Sequence, residues 1–339
     1  MTRPFLAAPR PRLWIAGLAG ILAAAGGCRV EDVDTSGATS SGSTSSGTAG
    51  GGGEAGGGAG GCAPGEPLKV MNWNTRNFFN AFYDGAAPDQ TVVSQSQYEA
   101  KRAAVGAVIK ALDPDVMVLQ EVENIGILQD LNESELGGAY PNAALVDGND
   151  TRGIDVGALS KLPFDEVVSH KDDTFTKVGT PGPVYKFARD AVELHLTRNG
   201  RHVALIGVHF RAKGQSDDPD KRLAEAQRAR AIADAVAAAD PTAAIAVLGD
   251  FNDVPGSAPV QAVLGSGEAA FDDVAGQVPA ADRWTFDFNG VLELIDHQAA
   301  SPVFRGMLDP ASVRIPHDGL VEEAGDHAPI LATYSVTPP

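Results

Sequence analysis

The sequence predicts an α+β fold: a four-layer sandwich of two mixed, mainly antiparallel sheets packed face to face, with helices outside. Three observations carry this. The 339 residues are 43% hydrophobic, enough for a large core. From residue 67 onward short strand-like runs outnumber helical stretches, and hairpin signals join several of them. That mixture suits two stacked mixed sheets better than a doubly wound parallel sheet.

The first 65 residues stand apart from this pattern. Arg3, Arg10 and Arg12 precede an apolar stretch, residues 13–25, about half as long as a comfortable bilayer span. A basic region, a short apolar region and small residues describe a secretory signal peptide over residues 1–27. The segment Ala25-Gly26-Gly27-Cys28 resembles a bacterial lipobox, with Ala25 where leucine is usual. This resemblance implies a lipid on Cys28, with secretion after ordinary cleavage as the alternative. With Arg29 next, it implies the outer membrane or cell surface. Residues 28–66 are dominated by Ser, Gly, Thr and Ala, a flexible tether with a reach on the order of 30 Å. If Cys28 is acylated, Cys62, the only other cysteine in the sequence, has no intrachain partner, and a disulfide-stapled fold is excluded.

The folded domain is predicted over 67–339. Residues 68–73 alternate as a strand and break into Asn74-Thr-Arg-Asn77. A helix follows, with Tyr98, Val105, Val108, Ile109 and Leu112 at helical spacing, stopped by Asp113-Pro114. Residues 116–119 form a strand buried on both faces, ending in Gln120-Glu121. Residues 127–136 read as a helix, and 155–160 and 163–169 as two strands joined by a short turn. Asn199-Gly200 marks a hairpin between 187–197 and 202–210. A long Ala-rich helix, 218–239, feeds a strand at 243–248. Further strands are predicted at 284–288, 291–295, 302–304 and 329–334.

Polar residues of one chemical family close these strands: Asn74, Glu121, His209, Asp250 with Asn252, Asp296 with His297, and Asp326 with His327. Such oxygen ligands suit Mg²⁺, or Mn²⁺ or Ca²⁺, and poorly suit zinc. Arg189 offers a planar fork for a phosphate. Phosphoester hydrolysis needs a base for water, a cation for developing charge and an acid near the leaving group, and all three are present.

Taken in order, eight segments resemble the endonuclease/exonuclease/phosphatase superfamily, the DNase-I-like enzymes. They are Asn72-Trp-Asn74, Leu119-Gln-Glu-Val122, Arg152-Gly-Ile-Asp-Val156, Ala188-Arg-Asp190, Val208-His-Phe-Arg-Ala-Lys-Gly214, Leu248-Gly-Asp-Phe-Asn252, Leu294-Ile-Asp-His297 and Gly325-Asp-His327. The resemblance implies that Glu121 binds the metal, with Asn74 and Asp326 near it or its water shell. It implies that Asp250 orients or deprotonates water and that Asn252 steadies the phosphate. His327 would contact the scissile phosphate and be charged by Asp296. His209 matches a second histidine of the nuclease-like members, and Arg189 and Arg152 are expected at the phosphate.

The bland alternatives are a capping or turn role for Asn74 and Asp296, a simple Arg152–Asp155 pair, and a structural His297 beside Asp296. His170, His195, His202 and His317 carry no motif, so surface or packing roles are expected.

Asn77-Phe-Phe-Asn80 and the region up to Leu119-Gln-Glu-Val-Glu-Asn124 look like the extracellular-nuclease branch, so nucleic acid is the expected substrate and the protein a monomer. The formal net charge of −18 repels polyanions at long range. Against that, Arg76, Arg152, Arg189, Arg211 and Lys213 lie in segments expected to converge on the cleft. The alternatives are a phosphatase or phospholipase C acting on inositol phosphates or a lipid head group, and a binding module without turnover.

Overall fold

Two six-stranded sheets and the helices on their outer faces account for most of the chain beyond residue 63 in the computed structural model. Residues 64–339 are described, except 84, 86, 180 and 215–217, and all fall in the compact unit Ala63–Pro339. The predicted signal peptide, Cys28, Cys62 and nearly all of the tether lie outside the described residues.

In chain order the strands are β1 (Glu66–Phe78), β2 (Val116–Val122), β3 (Asn142–Leu145), β4 (Asp155–Ser160), β5 (Glu166–Ser169), β6 (Ala191–Arg198) and β7 (Arg201–His209), followed by β8 (Ala244–Asp250), β9 (Asp272–Asp273), β10 (Phe286–Phe288), β11 (Val291–Glu293), β12 (Asp296–Ala300), β13 (Leu308–Arg314) and β14 (Ile330–Val336). The helices are α1 (Gln95–Leu112), α2 (Ile125–Ser134), α3 (Pro219–Ala239), α4 (Ala258–Leu264), α5 (Pro302–Arg305) and α6 (Gly319–Ala324). One sheet runs β13-β14-β1-β2-β4-β3, the other β5-β6-β7-β8-β12-β9, and β10–β11 is a separate hairpin.

Local chemistry explains most boundaries. Ser94 and Gln97 form a capping box that starts α1, and Asp113 closes it in the left-handed region just before Pro114. The hairpin turn between β6 and β7 has positive φ at Asn199 and Gly200, the conformation its residue pair favours. β2 and β8 are buried on both faces apart from Glu121, as central strands require. Between the sheets, Val118 shares one apolar cluster with Leu194, Leu205 and Leu248. There the layers come so close that a Cβ on Gly207 would lie 2.6 Å from a methyl of Val118. Outside, α3 lays Ala226, Ala229, Ile232 and Ala233 on Ile206, Ile245 and Val247.

The structure departs from the expectations in several places. Residues 302–304 are not a strand but the start of α5, because Ser301 caps Phe304 N–H and Pro302 suits a first helical turn. β4 and β5 are not neighbours: they belong to different sheets, so the turn after Ser160 crosses between layers. α2 begins two residues early, where the Asn124 side chain caps Ile127 N–H. β3, β12 and β13 were not expected as strands; β13 is a polar, largely exposed edge, whereas β12 is fully buried despite its Asp-His-Gln sequence.

Candidate active site

Strand register assembles the site. In the second sheet His209 lies beside Asp250 across the parallel β7–β8 pair, and Asp296 lies beside Asp250 across β12. Three titratable groups therefore stand abreast at one sheet edge. In the first sheet Asn74 pairs with Gln120, and there the ladder is interrupted twice. Gln120 pairs with Val156 and Val122 with Asp155, leaving Glu121 as the extra residue of a bulge, at φ 62°. Arg76 and Asn77, at φ 53° and 51°, make a second irregularity in β1. Bulges of this kind re-aim side chains, and here one turns the Glu121 carboxylate out of the ladder and into the cleft.

The polar groups interlock. Asn74 Nδ2 donates to Asp250 Oδ2 at 3.0 Å and reaches Glu121 Oε1 at 3.5 Å, so this one amide joins the two sheets. Asn77 N–H donates to Glu121 Oε2 at 2.7 Å. Asn252, at φ 52°, donates its backbone N–H to Asp250 Oδ1 at 2.7 Å and its amide to Phe210 O at 3.1 Å. Gly249 makes this turn feasible, since a Cβ there would lie 2.0 Å from Val208 O. His327, after α6, has its backbone O held by Trp73 Nε1 at 2.8 Å, and its Nδ1 lies 2.7 Å from Asp296 Oδ2.

These contacts separate the two histidines electrostatically. Burial alone would depress the His327 imidazole, but Asp296, with help from Asp250, outweighs it and raises the pKa to about 9. Burial holds His209 well below the ordinary imidazole range, and Arg189 adds to the effect. His209 is therefore neutral, and its 3.4 Å approach to Asp250 Oδ2 is a polar contact rather than an ion pair. Burial, with the Asp296 charge beside it, raises the Asp250 carboxyl.

Asn74, Glu121, Arg152, Arg189, His209, Asp250, Asn252, Asp326 and His327 all line one cleft of about 580 Å³. Asp296 stands behind His327 rather than on the wall. Of the expected cations, Arg76, Arg152, Arg189 and Lys213 line the cleft and Arg211 does not. Each lining cation is held by an acid: Arg76 by Asp326 at 3.2 Å, Arg152 and Arg189 by Asp150 at 3.2 and 3.0 Å, and Lys213 by Asp253 at 3.1 Å. Arg152 thus pairs with Asp150, not with Asp155, whose Oδ1 accepts from Gly148 N–H at 2.8 Å. His297 is buried and bonded to Asp273 Oδ2 at 2.6 Å and Asp253 O at 2.9 Å, so its carboxylate partner is not the adjacent Asp296.

Three contributors escape sequence reasoning. Asp150 clamps both arginine heads. Glu225, buried on α3, accepts the backbone N–H groups of Ala188 and Arg211, each at 2.6 Å, and so pins the loops carrying Arg189 and the residues after His209. Lys101 of α1 donates to Ala324 O and is lowered to about 8 by burial, with Asp326 acting against that fall. Only Asp150, two residues before Arg152 and bonded to its N–H, leaves a local trace in the sequence.

The donors fit a hard divalent cation. Asp296 Oδ1 and Asp326 Oδ1 are buried without a hydrogen-bond donor. Asp250, Asp296 and His327 bring ligand atoms within 4.8 Å of one another, the one such group among the described residues. Because Asp296 and His327 already bond to each other, the oxygens of Glu121, Asn74 and Asp326 form the other candidate set in the same cleft.

The family model for the Endonuclease/Exonuclease/phosphatase family matches residues 71–327, and the chain belongs to that family. The fold and side chains are those of a phosphoesterase of this family with a candidate buried metal site. Among solved structures, truncated Caenorhabditis elegans TDP2 is similar at 18% identity and a TM-score of 0.52, over 80% of this chain and 98% of that one. D. rerio TDP2 complexed with single strand DNA product gives 16% and 0.54, over 79% and 98%. The endonuclease/exonuclease/phosphatase from Beutenbergia cavernae gives 20% and 0.54, over 80% and 72%. These likenesses show the fold, a DNase-I-like sandwich. No curated protein matches the sequence.

Proposed function

We propose that the chain is a metal-dependent phosphodiester hydrolase that cleaves nucleic acid, DNA first and RNA second, by attack of water on phosphorus. The observation that carries this is the Asp296–His327 pair, an imidazolium held beside Asp250 in a cleft also lined by three arginines.

Glu121, Asn74 and Asp326 would hold Mg²⁺, with Mn²⁺ or Ca²⁺ as substitutes. Such an ion supplies positive charge to phosphate oxygens. Asp250, raised by burial and steadied by Asn74 and Asn252 N–H, orients the attacking water and takes its proton. His327 presents its second nitrogen to the phosphate as a cation. Arg189 and Arg152, splayed on Asp150, and the Asn252 amide position the phosphate. Neutral His209, which lines the cleft with its Nε2 3.4 Å from Asp250 Oδ2, can donate to or accept from the same group through that nitrogen.

Support for a nucleic-acid substrate comes from the D. rerio TDP2 structure with its single strand DNA product. Plasmid DNA, single-stranded DNA and RNA, incubated with Mg²⁺, test the reading; no cleavage of any of them rejects it. A phosphatase or phospholipase C activity has one observation in its favour, the exposed apolar residues Phe288, Val291 and Leu292 on β10–β11. Release of phosphate or phosphocholine without nucleic-acid cleavage would decide for it. The proposal extends to an exported monomer, anchored through a lipid on Cys28 or secreted. Lipid labelling that persists in Cys28→Ser would contradict that anchor.

A further inference from the structure

The β10–β11 hairpin pairs with neither main sheet, yet it forms part of the cleft wall through Phe286, Phe288 and Glu293. Its turn is a tight Asn-Gly pair: Asn289 and Gly290 have φ 53° and 83°, and Gly290 N–H donates to Asp287 Oδ1 at 2.6 Å. Phe288 is 62% exposed and Val291, its cross-strand partner, 59%. Phe288 and Val291 thus form an exposed apolar pair beside a polar cleft, and contiguous apolar surface of this kind marks binding sites.

The geometry gives the ring a direction. Phe286 and Phe288 are two residues apart on one strand and so share a face. Their planes differ by 17° with centroids 6.2 Å apart. The Phe286 ring lies 4.7 Å from the His327 ring, and a backbone bridge ties the two residues. Aromatic surface therefore continues from the His327 imidazole out to the rim, with a 39° tilt at the step from His327 to Phe286.

We infer that Phe288, backed by Phe286 and Val291, is a stacking platform for a nucleobase next to the scissile phosphate, and that the enzyme therefore prefers single-stranded over duplex nucleic acid. This rests on the phosphodiesterase reading above. A duplex keeps its bases stacked inside and is held mainly by phosphate neutralisation, which a chain of net charge −18 with acid-paired cleft cations supplies poorly. A single strand offers free base faces, and stacking adds affinity without added positive charge.

The test uses a single-stranded DNA oligonucleotide with one cleavable linkage and a twin carrying base-free tetrahydrofuran residues on either side of it. The wild-type protein should cleave the base-bearing form with kcat/KM roughly tenfold higher. It should also cleave that form faster than the same sequence in a duplex. Phe288→Ala should bring the base-bearing to base-free ratio close to one, and Phe288→Trp should restore it. Equal cleavage of the twins by the wild-type protein, or an unchanged ratio in Phe288→Ala, overturns the inference and leaves the phosphodiesterase reading standing. No cleavage of either twin, or of plasmid DNA or RNA, removes both. If Phe288→Ala instead abolishes sedimentation with phosphatidylcholine vesicles while the ratio holds, the hairpin is a lipid contact and the inference fails.

Discussion

In the proposed reaction Asp296 acts through His327 and through the charge it sets beside Asp250, and that makes it the residue whose removal is most informative. The His327 pKa of about 9 is the outcome of burial pulling down and Asp296 pulling up. In Asp296→Asn burial should win, and the alkaline limb of the pH–rate profile should move from near pH 9 to below neutrality, with kcat down roughly 10²- to 10⁴-fold. An unmoved limb would show that another group sets it. Glu225 makes a separate prediction in stability. Burial raises its carboxyl from 4.5 to about 7 despite two backbone donors. A pKa raised on folding contributes stability that is fully present below the unfolded value and lost as pH rises through the folded one. The window is therefore about pH 4.5 to 7, and the amplitude is at most about 3 kcal/mol. Measured by urea unfolding, the difference between the wild-type protein and Glu225→Gln should shift in favour of the variant across that window. A constant difference would mean that Glu225 titrates normally.

At the scale of elements, the site is made by strand ends and by the departures from regular pairing there. The strand ends were legible, because apolar runs such as 116–119 and 244–248 stop abruptly at carboxylates. The departures were not. Nothing in the residue type of Glu121 announces a left-handed backbone; the bulge follows from how β2 must pair with β1 on one side and β4 on the other. β12 was missed because Asp-His-Gln reads as polar loop, although all five of its residues are buried. Residues 302–304 misled in the opposite sense, their apolar side chains outweighing the helix start at Ser301-Pro302. Asp150 and Glu225 act on partners up to 39 residues away in sequence, and no local pattern carries such contacts. Gly249 shows how tightly β8 is set against β7. Gly249→Ala should cost at least about 3 kcal/mol in urea unfolding, since its Cβ would lie inside the contact distance of Val208 O at a φ of 138°. A loss below about 1 kcal/mol would show that the turn can relax.

For the whole molecule, the sandwich serves to bring two sheet edges together so that donors from each face one cleft: Asn74, Glu121, Asp326 and His327 from one side, His209 and Asp250 from the other, with Asp296 of that second sheet reaching across to His327. The overall acidity opposes non-specific polyanion binding, so on the proposed reading affinity for nucleic acid would come from the few cations in the cleft, from a metal ion and from contacts to bases. The most direct measurement is cleavage of single-stranded DNA by the purified chain with Mg²⁺, with Mg²⁺ removed by EDTA, and with Asp250→Asn in place of the wild-type protein. Cleavage that requires the cation and falls at least about 10²-fold in a folded Asp250→Asn protein is the predicted result. Cleavage that survives both EDTA and the substitution would contradict it.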